Sequence, residues 1–314
     1  MKHFISAKDV DNLDELVAGA LAFKKDPYQS AVIGQQKTLG LLFFNPSLRT
    51  RLSTVKAAKQ LGLEGVVMNV GQDSWKLETE EGAIMDGDKA EHIREAAAVM
   101  GAYCDIIGVR SFPALKDREN DYQEKVIKAF VKYADRPILN LESATVHPLQ
   151  SLADIVTIEE YKKIDKPKIV LTWVPHVKAL PQSVGNSFAE WMGKADFDCV
   201  VAAPKGFQLD ASYTQGLQVT EDQEKALEGA DFVYAKNWSA YENYGAIGDF
   251  PHWMIDARKL SLTNDAYFMH CLPVRRNVVV SDEVLDSQNA IHIPQSGNRI
   301  WATQSVLFQM LKDL

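Results

Sequence analysis

The sequence predicts an α/β protein of two domains, each with a mainly parallel sheet flanked by helices. Short apolar runs typical of buried strands alternate with amphipathic helical segments along the whole chain. The length of 314 residues suits two domains of about 150 residues each. With 46% hydrophobic and 24% charged residues, the composition is that of an ordinary globular protein.

The first half of the chain supplies the elements of one domain, residues 1–146. Apolar residues at helical spacing predict its helices, and short runs rich in Leu, Val, Ile and Phe predict its strands. In chain order these are helix 10–25, strand 37–44, helix 49–61, strand 64–70, helix 91–103, strand 105–110, helix 121–133 and strand 136–143. Residues 71–89 are polar and rich in Gly and Asp, which predicts a long loop, and loops of that length are usually functional.

The second domain is predicted to comprise residues 147–298. It opens with a long amphipathic helix, 147–163, which follows the boundary between the domains. The elements after it are strand 168–174, helix 182–195, strand 197–204, helix 222–229, strand 231–237, strand 266–273, strand 289–294 and the closing helix 299–314.

Composition argues against several classes of protein. A net charge of −8 and a pI near 5.4 disfavour general nucleic-acid binding, which needs a basic surface. No apolar run approaches the ~20 residues of a membrane span, and the N-terminal segment lacks the apolar core of a signal peptide. Cys104, Cys199 and Cys271 are far apart and odd in number, so they indicate neither a disulfide framework nor a zinc site. We therefore expect a cytoplasmic protein with no nucleic-acid or membrane partner.

The segment SLRTR at 47–51 stands where a strand gives way to a helix. Unbonded N–H groups and the positive end of the helix dipole make such a junction a ready anion site. Ser47 and Thr50 add hydroxyl donors, and Arg49 adds a planar guanidinium suited to phosphate oxygens. The alternative is that Ser47 only caps the helix while the arginines lie in solvent.

Other polar side chains stand at strand ends or at a helix start. In HPLQ, His147 and Gln150 are three residues apart and lie on one face of a helix start. His147 can donate a hydrogen bond to a carbonyl oxygen, and Gln150 can accept one from an amide NH2. A capping or core histidine is the simpler alternative. Arg110 and Cys271 end strands, where open α/β sheets bind ligands, although Cys271 alone suits a buried small hydrophobe equally well. Trp75, on the polar loop, is expected to cover a ligand or a neighbouring subunit.

Three motifs, SLRTR at 47–51, HPLQ at 147–150 and HCLP at 270–273, resemble those of the transcarbamylase family in type and order. The resemblance extends over nearly the whole chain. It implies the transcarbamylase fold, with an active site in the cleft between two α/β domains and a terminal helix, 299–314, packed back on the first. It also implies homotrimers that share active sites between subunits, and neither a cofactor nor a metal.

The resemblance further implies a site for carbamoyl phosphate. The residues in the corresponding positions are Ser47, Leu48, Arg49, Thr50, Trp75, Arg110, His147, Gln150, Cys271 and Leu272. Residues 47–50 would hold the phosphate, Leu48 through its backbone, and Gln150 would recognise the carbamoyl nitrogen. The predicted catalytic residues are Arg49, Thr50, Arg110, His147 and Cys271.

The second substrate is expected to be an N-acylated ornithine. HCLPVRRN, DSWKLE at 73–78 and AKNW at 235–238 look like that branch of the family, and 234–245 lacks the Ser-Met-Gly motif of ornithine enzymes. Such an acceptor needs cations for its α-carboxylate and, for a succinyl group, for a second carboxylate. The predicted acylornithine-binding residues are Glu142, His176, Lys236, Cys271, Leu272, Arg275 and Arg299, with Trp75 reaching into a neighbouring subunit's site.

Ala90 is the predicted specificity position in the loop. Acetyl-type relatives carry a glutamate there and succinyl-type relatives a proline; a glutamate would repel a succinyl carboxylate, whereas alanine leaves it unopposed. We therefore expect carbamoyl transfer to the δ-amine of N-succinyl-L-ornithine, giving N-succinyl-L-citrulline and phosphate, in arginine biosynthesis. N-acetylornithine is the alternative acceptor; ornithine itself, or a non-catalytic metabolite-binding subunit, are remoter ones.

Overall fold

The computed structural model describes residues 1–314 and divides them into two compact units. Unit 1 comprises Met1–Pro113, Glu119–Leu149 and Arg299–Leu314, and unit 2 comprises Ala114–Arg118 and Gln150–Asn298. The short excursion at Ala114–Arg118 had no signal in the sequence. Which substrate each unit binds stays a prediction.

The first part of the chain forms a four-stranded parallel sheet with the order β2-β1-β5-β6. Strands β5 and β6 are buried throughout, as expected for a parallel sheet covered by helices on both faces. The elements are α1 (Leu13–Lys25), β1 (Thr38–Phe43), α2 (Arg49–Gln60), β2 (Glu64–Asn69), β3 (Leu77–Glu78), β4 (Glu91–His92), α3 (Ile93–Tyr103), β5 (Ile106–Arg110), α4 (Arg118–Tyr122), α5 (Lys125–Tyr133) and β6 (Ile138–Glu142).

The carboxyl ends of β1, β5 and β6 place three segments of the sequence at one edge of this sheet. The segment SLRTR follows β1, Arg110 ends β5 and Glu142 ends β6. The register between β5 and β6 shifts at Val109/Arg110, so that Arg110 pairs with Glu142. A bulge of this kind re-aims a side chain, and here it sets a guanidinium opposite a carboxylate.

Unit 2 is built on a five-stranded parallel sheet with the order β11-β10-β7-β8-β9. Its core contains large, fully buried aromatic side chains, among them Trp173, Trp191 and Trp238. The remaining elements are α6 (Pro148–Tyr161), β7 (Lys168–Trp173), α7 (Ser183–Lys194), β8 (Asp198–Ala202), β9 (Gln218–Thr220), α8 (Gln223–Leu227), β10 (Phe232–Lys236), α9 (Ala257–Leu260), β11 (Tyr267–Met269), α10 (Asp282–Leu285) and α11 (His292–Lys312). No helix of this chain has both the length and the apolar character that a membrane crossing requires.

The predicted elements differ most from the structure at two places, besides shifts in element ends such as that of the closing helix, predicted at 299–314 and observed from His292. The predicted strand 289–294 is wrong: only an isolated bridge between Phe268 and Ala290 forms, and helix α11 already begins at His292. Pro294 lies in the first turn of that helix, where its missing N–H breaks no intrahelical hydrogen bond. The apolar run at 289–294, which is also typical of a strand, therefore leads into a helix. The predicted helix 121–133 is two helices, α4 and α5, separated by a left-handed residue, Glu124, with φ 54°.

Candidate active site

The segment SLRTR forms the entrance to α2. The N-cap of that helix is Leu48, whose side chain is exposed and makes no capping hydrogen bond. The alternative that Ser47 caps the helix is therefore wrong. Because no side chain caps the first turn, its N–H groups and the positive end of the helix dipole are available to an anion.

Five buried polar residues of unit 1 form what we call the Thr50 cluster. Its members are Thr50, Arg110, Glu142, His147 and Arg299. Thr50 is only 1% exposed, and its Oγ1 accepts from Arg299 Nη2 at 2.6 Å and from Arg110 Nη1 at 3.5 Å. Arg110 Nη1 also donates to Glu142 Oε2. The cluster thus ties the start of α2 to the ends of β5 and β6 and to the terminal helix.

His147 lies among charges but is itself neutral. Its Nε2 is 3.3 Å from Arg299 Nη2 and 3.5 Å from Glu142 Oε2, while its buried Nδ1 has no hydrogen-bond partner. Burial lowers the pKa of His147 to about 3; the positive charges of Arg299, Arg110 and Arg49 add to this effect, and Glu142 opposes it. Three guanidinium groups against one carboxylate leave an excess of positive charge suited to a phosphate.

Arg51 faces a different part of unit 1. Its Nη2 donates to Asn69 Oδ1, and its guanidinium lies 5.3 Å from the centre of the Phe43 ring. Arg51 and Asn69 help to line a cavity of about 430 Å³ beside the SLRTR segment, to which Ser47 and Leu48 also contribute. Arg51 therefore braces the segment, whereas Thr50 joins the buried cluster.

The turn before His147 is held by a carboxylate that sequence reasoning missed. Glu124 Oε1 accepts from Ser143 Oγ at 2.7 Å, and from the N–H and Oγ1 of Thr145 at 2.8 and 2.6 Å. Its other oxygen accepts from the N–H of Ala144 at 3.3 Å. Nothing in the pattern around Glu124 points to a residue about 20 positions along the chain, so no local signal would have found it.

Trp75 and Ala90 lie on one loop, apart from the Thr50 cluster. Trp75 is 59% exposed, and its Nε1 donates to Glu91 Oε2 at 2.8 Å. The N–H of Ala90 donates to Lys76 O at 3.2 Å, and strands β3 and β4 pair just beside it. The loop backbone is thus ordered by bonds that do not involve the exposed side chain of Ala90.

A second group of cations, the Arg275 cluster, lies in unit 2 and consists of His176, Lys236 and Arg275. Arg275 Nε donates to His176 Nε2 at 3.3 Å, and His176 Nδ1 lies 3.0 Å from Lys178 O and 3.1 Å from the backbone nitrogen of Lys178. Partial burial lowers the pKa of His176, and the charges of Lys236 and Arg275 lower it further, against the backbone bond that raises it. Two cations with a neutral imidazole suit a carboxylate ligand.

Gln150 and Cys271 are connected within unit 2 by two residues that the sequence reasoning did not single out. Gln150 Nε2 donates to Asp154 Oδ1 at 2.8 Å, and the Tyr234 hydroxyl interacts with both Asp154 and Cys271. Leu272, next to the thiol, has a left-handed φ of 58°, and its N–H donates to His270 Nδ1 at 2.8 Å. The spacing of Gln150 and Asp154, four residues apart on a helix, was the available signal.

Within unit 1, the structure brings together residues that we had assigned to different substrates. Glu142 and Arg299, both predicted to bind the acylornithine, lie in the Thr50 cluster with residues predicted for carbamoyl phosphate. Arg49, half-buried at the start of α2, acts electrostatically on His147 of the same cluster. The roles of Glu142 and Arg299 stay predictions, but their contacts favour a part in the chemistry of the Thr50 cluster.

Two family models cover most of the chain. Residues 2–160 match the aspartate/ornithine carbamoyltransferase carbamoyl-P binding domain. Residues 178–310 match the aspartate/ornithine carbamoyltransferase Asp/Orn binding domain.

Relatives with carbamoyltransferase names are similar over nearly the full length of this chain. An N-succinylornithine carbamoyltransferase of Bacteroides fragilis (strain 638R) is 51% identical over 317 residues, covering 100% of both chains. An N-acetylornithine carbamoyltransferase of Xanthomonas axonopodis pv. citri (strain 306) is 39% identical over 331 residues, covering 98% of this chain and 96% of the relative.

A solved structure shares the fold. It is an N-acetyl-L-ornithine transcarbamylase in which a glutamate is replaced by alanine, complexed with carbamyl phosphate and N-succinyl-L-norvaline. It superposes with a TM-score of 0.93 at 38% identity and covers 99% of this chain and 100% of that one.

Proposed function

Because this chain belongs to the aspartate/ornithine carbamoyltransferase family, we propose that it transfers the carbamoyl group of carbamoyl phosphate to the δ-amine of N-succinyl-L-ornithine. The products are N-succinyl-L-citrulline and phosphate, in a step of arginine biosynthesis. The observation that carries the proposal is 51% identity over the full length to an N-succinylornithine carbamoyltransferase. The buried, positively charged Thr50 cluster supports it independently.

The proposed chemistry is direct acyl transfer. The neutral δ-amine attacks the carbamoyl carbon, a C–N bond forms through a tetrahedral oxyanion, and the C–O bond to phosphate breaks. The departing phosphate takes the proton from the amine, so no protein general base is required. Donors that are already held in place stabilise the oxyanion more than the ground-state carbonyl, and this difference accelerates the reaction.

In this proposal Thr50, Arg110 and His147 hold the carbamoyl oxygen. Arg110 is fixed by Glu142, and His147 stays neutral at physiological pH because its pKa is about 3. A neutral imidazole can present one N–H as a donor without adding a further charge. Arg49 and the uncapped first turn of α2, with Ser47 and the Leu48 backbone, take the phosphate.

Arg299 takes a second part in this scheme beside its predicted contact with the acylornithine. Its guanidinium reaches both the Thr50 hydroxyl and His147. A donor in that position supports the same developing oxyanion, which extends the role we assigned to it from the sequence.

The acylornithine is proposed to bind through the Arg275 cluster. Lys236 and Arg275 offer positive charge to carboxylates, and the neutral ring of His176 lies against Arg275 at 3.3 Å. Cys271 and Leu272 flank the incoming amine, and Gln150 accepts from the carbamoyl amino group. A contact of this kind, made equally in the ground state and the transition state, lowers the KM for the acceptor and does not raise kcat.

The preference for succinyl over acetyl is assigned to Ala90. Its small side chain places no charge near a succinyl carboxylate, and the neighbouring Glu91 is engaged by the Trp75 indole at 2.8 Å. The solved relative that is complexed with N-succinyl-L-norvaline carries an alanine in place of a glutamate. The N-acetylornithine enzymes, 39% identical, supply the alternative acceptor.

The proposal includes a homotrimer in the cytoplasm, with Trp75 of one subunit reaching the active site of another. Support comes from the family resemblance, from the exposed indole of Trp75, and from three cysteines that are all free. Mixing two inactive variants, Arg49→Ala and Trp75→Ala, tests the sharing of sites. If sites are shared, mixed trimers regain part of the activity; if each subunit is self-sufficient, the mixture stays inactive.

The deciding experiment compares three acceptors, N-succinylornithine, N-acetylornithine and ornithine, in one citrulline-type assay with carbamoyl phosphate. We expect kcat/KM to be highest for N-succinylornithine. Highest turnover with either other amine would assign the protein to that acceptor. Tight binding of carbamoyl phosphate without turnover of any amine would favour a non-catalytic, metabolite-binding subunit.

A further inference from the structure

Asp154 is a fully buried acid in helix α6 that the proposed chemistry does not use. One of its oxygens, Oδ1, accepts two hydrogen bonds from amide groups, from Gln150 Nε2 at 2.8 Å and from Gln295 Nε2 at 2.7 Å. Gln295 in turn accepts from the N–H of His270 at 2.9 Å. Asp154 therefore connects Gln150, the last residue of HPLQ, to His270, which opens HCLP, and these residues all lie in unit 2.

The contact with Asp154 decides which end of the Gln150 amide is free. A carboxylate oxygen can only accept hydrogen bonds. It can therefore face the NH2 of an amide but not the amide oxygen, because two acceptors repel each other. Gln150 must therefore turn its NH2 toward Asp154. Its Oε1 then points away, and this oxygen is buried and has no hydrogen-bond partner.

An unsatisfied buried acceptor is costly, and such a group marks a position where a ligand can supply the missing donor. The carbamoyl group carries that donor as its NH2. Tyr234 adds to the polar surroundings of Asp154: burial and then the charges of Asp154 and Cys271 raise the pKa of its hydroxyl, which therefore keeps its proton.

We infer that Asp154 is a positioning residue that holds Gln150 as an obligate acceptor and so makes the site select a phosphorylated compound with an NH2 on its carbonyl carbon. The inference rests on the proposed function, since it assigns Gln150 to the carbamoyl nitrogen. It adds a reason for the choice of carbamoyl phosphate over acyl phosphates of the same shape. Without Asp154, the amide of Gln150 can rotate and present either end.

Acetyl phosphate is the probe that isolates this effect. It has the size and charge of carbamoyl phosphate but a methyl group in place of the NH2, so it cannot donate to Gln150 Oε1. We define the discrimination ratio as the Kd for acetyl phosphate divided by that for carbamoyl phosphate, measured by calorimetry on the whole protein without an acceptor. Inorganic phosphate serves as a control ligand that does not depend on Gln150.

We expect the wild-type ratio to be about tenfold or more, and Asp154→Ala to lower it about fivefold with little change in phosphate affinity. Gln150→Leu should lower the ratio as much, and the double variant should lower it no further, because both changes remove one interaction. Asp154→Asn should restore the ratio, since two converging amide NH2 groups hold the asparagine with its oxygen toward them. Gln295→Leu is the matched control, which removes the other amide bond to the same oxygen and leaves Gln150 oriented.

The outcomes separate the inference from the proposed function. A wild-type ratio near one overturns the acceptor role of Gln150, and an unchanged ratio in Asp154→Ala together with a lowered Tm shows that Asp154 is only structural. A wild-type protein that binds neither carbamoyl phosphate nor acetyl phosphate overturns the proposed function as well. If the alanine variant does not fold, Asp154→Ser provides the same test, because its shorter side chain cannot reach Gln150.

Discussion

The Thr50 cluster and the Arg275 cluster are both cationic, but they are built in opposite ways. In the Thr50 cluster all five side chains are buried, and they hold one another through hydrogen bonds and an ion pair with Glu142. In the Arg275 cluster only Lys236 is buried, His176 is half-buried, and Arg275 is exposed and bonded to His176 alone among the residues of that cluster. One group is pre-formed, whereas the other can rearrange.

The difference indicates a division of labour. Donors that are fixed before the substrate arrives lose little entropy in the reaction, which suits a group that must stabilise a transition state. Exposed side chains can adapt to the shape of an acyl chain, which suits a group that recognises a variable substrate. Substitutions near the first group should therefore alter turnover or stability, and substitutions near the second should alter the affinity for one substrate.

The largest effect is expected from Arg49→Ala, which removes a half-buried cation beside the Thr50 cluster. Loss of one pre-positioned donor typically lowers kcat by about 10²–10³-fold, and Arg49 is not part of the core, so the fold should survive. Steady-state kinetics and circular dichroism check the two parts. Lys56→Ala, at an exposed cation of the same helix, is the matched control. Near-normal turnover in Arg49→Ala would remove the phosphate role of this segment.

The next effect tests whether recognition of the acyl group is separate from both clusters. Ala90→Glu should lower kcat/KM for N-succinylornithine about 100-fold, because a carboxylate placed near the succinyl carboxylate repels it. Activity with N-acetylornithine should not fall. Ala90→Gln adds the same bulk without charge and should have a much smaller effect. Equal losses with both substrates would point to steric damage.

A smaller effect is expected when the Arg275 cluster loses one charge. Lys236→Met or Arg275→Met should raise the KM for the acylornithine about 10–50-fold, which is the lower part of the range for a hydrogen bond to a charged group, and leave the KM for carbamoyl phosphate unchanged. Arg276→Met is the control, since this neighbouring guanidinium is paired with Asp282 and Asp286. A similar rise for both substrates would contradict the division of labour.

The smallest effect concerns stability and pH. The folded-state pKa of His147 is about 3, below its unfolded value near 6.5, so its contribution is fully present above pH 6.5 and is lost as the pH falls toward 3. Between pH 6.5 and pH 5, His147 should lower the unfolding free energy of the wild type by about 1.5 kcal/mol. The His147→Asn variant should lack this part of the decrease. Urea unfolding at the two pH values measures it, with His252→Asn at an exposed histidine as control. Identical pH dependence in His147→Asn and wild type would mean that His147 is not the buried neutral ring described above.

Much of the fold was predictable because parallel strands are buried on both faces and therefore appear as continuous apolar runs. The ends of predicted strands can also be located in the sequence, and this predicts ligand contacts for Arg110 and Cys271. The strand predicted at 289–294 failed because a short apolar run with a proline suits a helix start as well as a strand. Periodicity cannot separate the two.

Partners distant in sequence were beyond that reasoning. Glu124 clamps the turn at 143–145, and Arg299 bonds to Thr50 across 249 positions of the chain. Such contacts depend on how sheets and helices pack and leave no periodic trace. Asp154 is an intermediate case. Its spacing from Gln150 is visible in the sequence, but its second partner, Gln295, is not.

The structure of the loop that carries Ala90 also bears on how the preference for an acyl group can evolve. Its backbone is held by the Trp75–Glu91 bond and by the Lys76–Asp88 and Lys89–Glu78 ion pairs, none of which uses the side chain at position 90. Codons for alanine and glutamate differ at one base, as do those for alanine and proline. In the proposed scheme, a lineage can therefore exchange one acyl group for another through a single point mutation that leaves the framework of the protein intact.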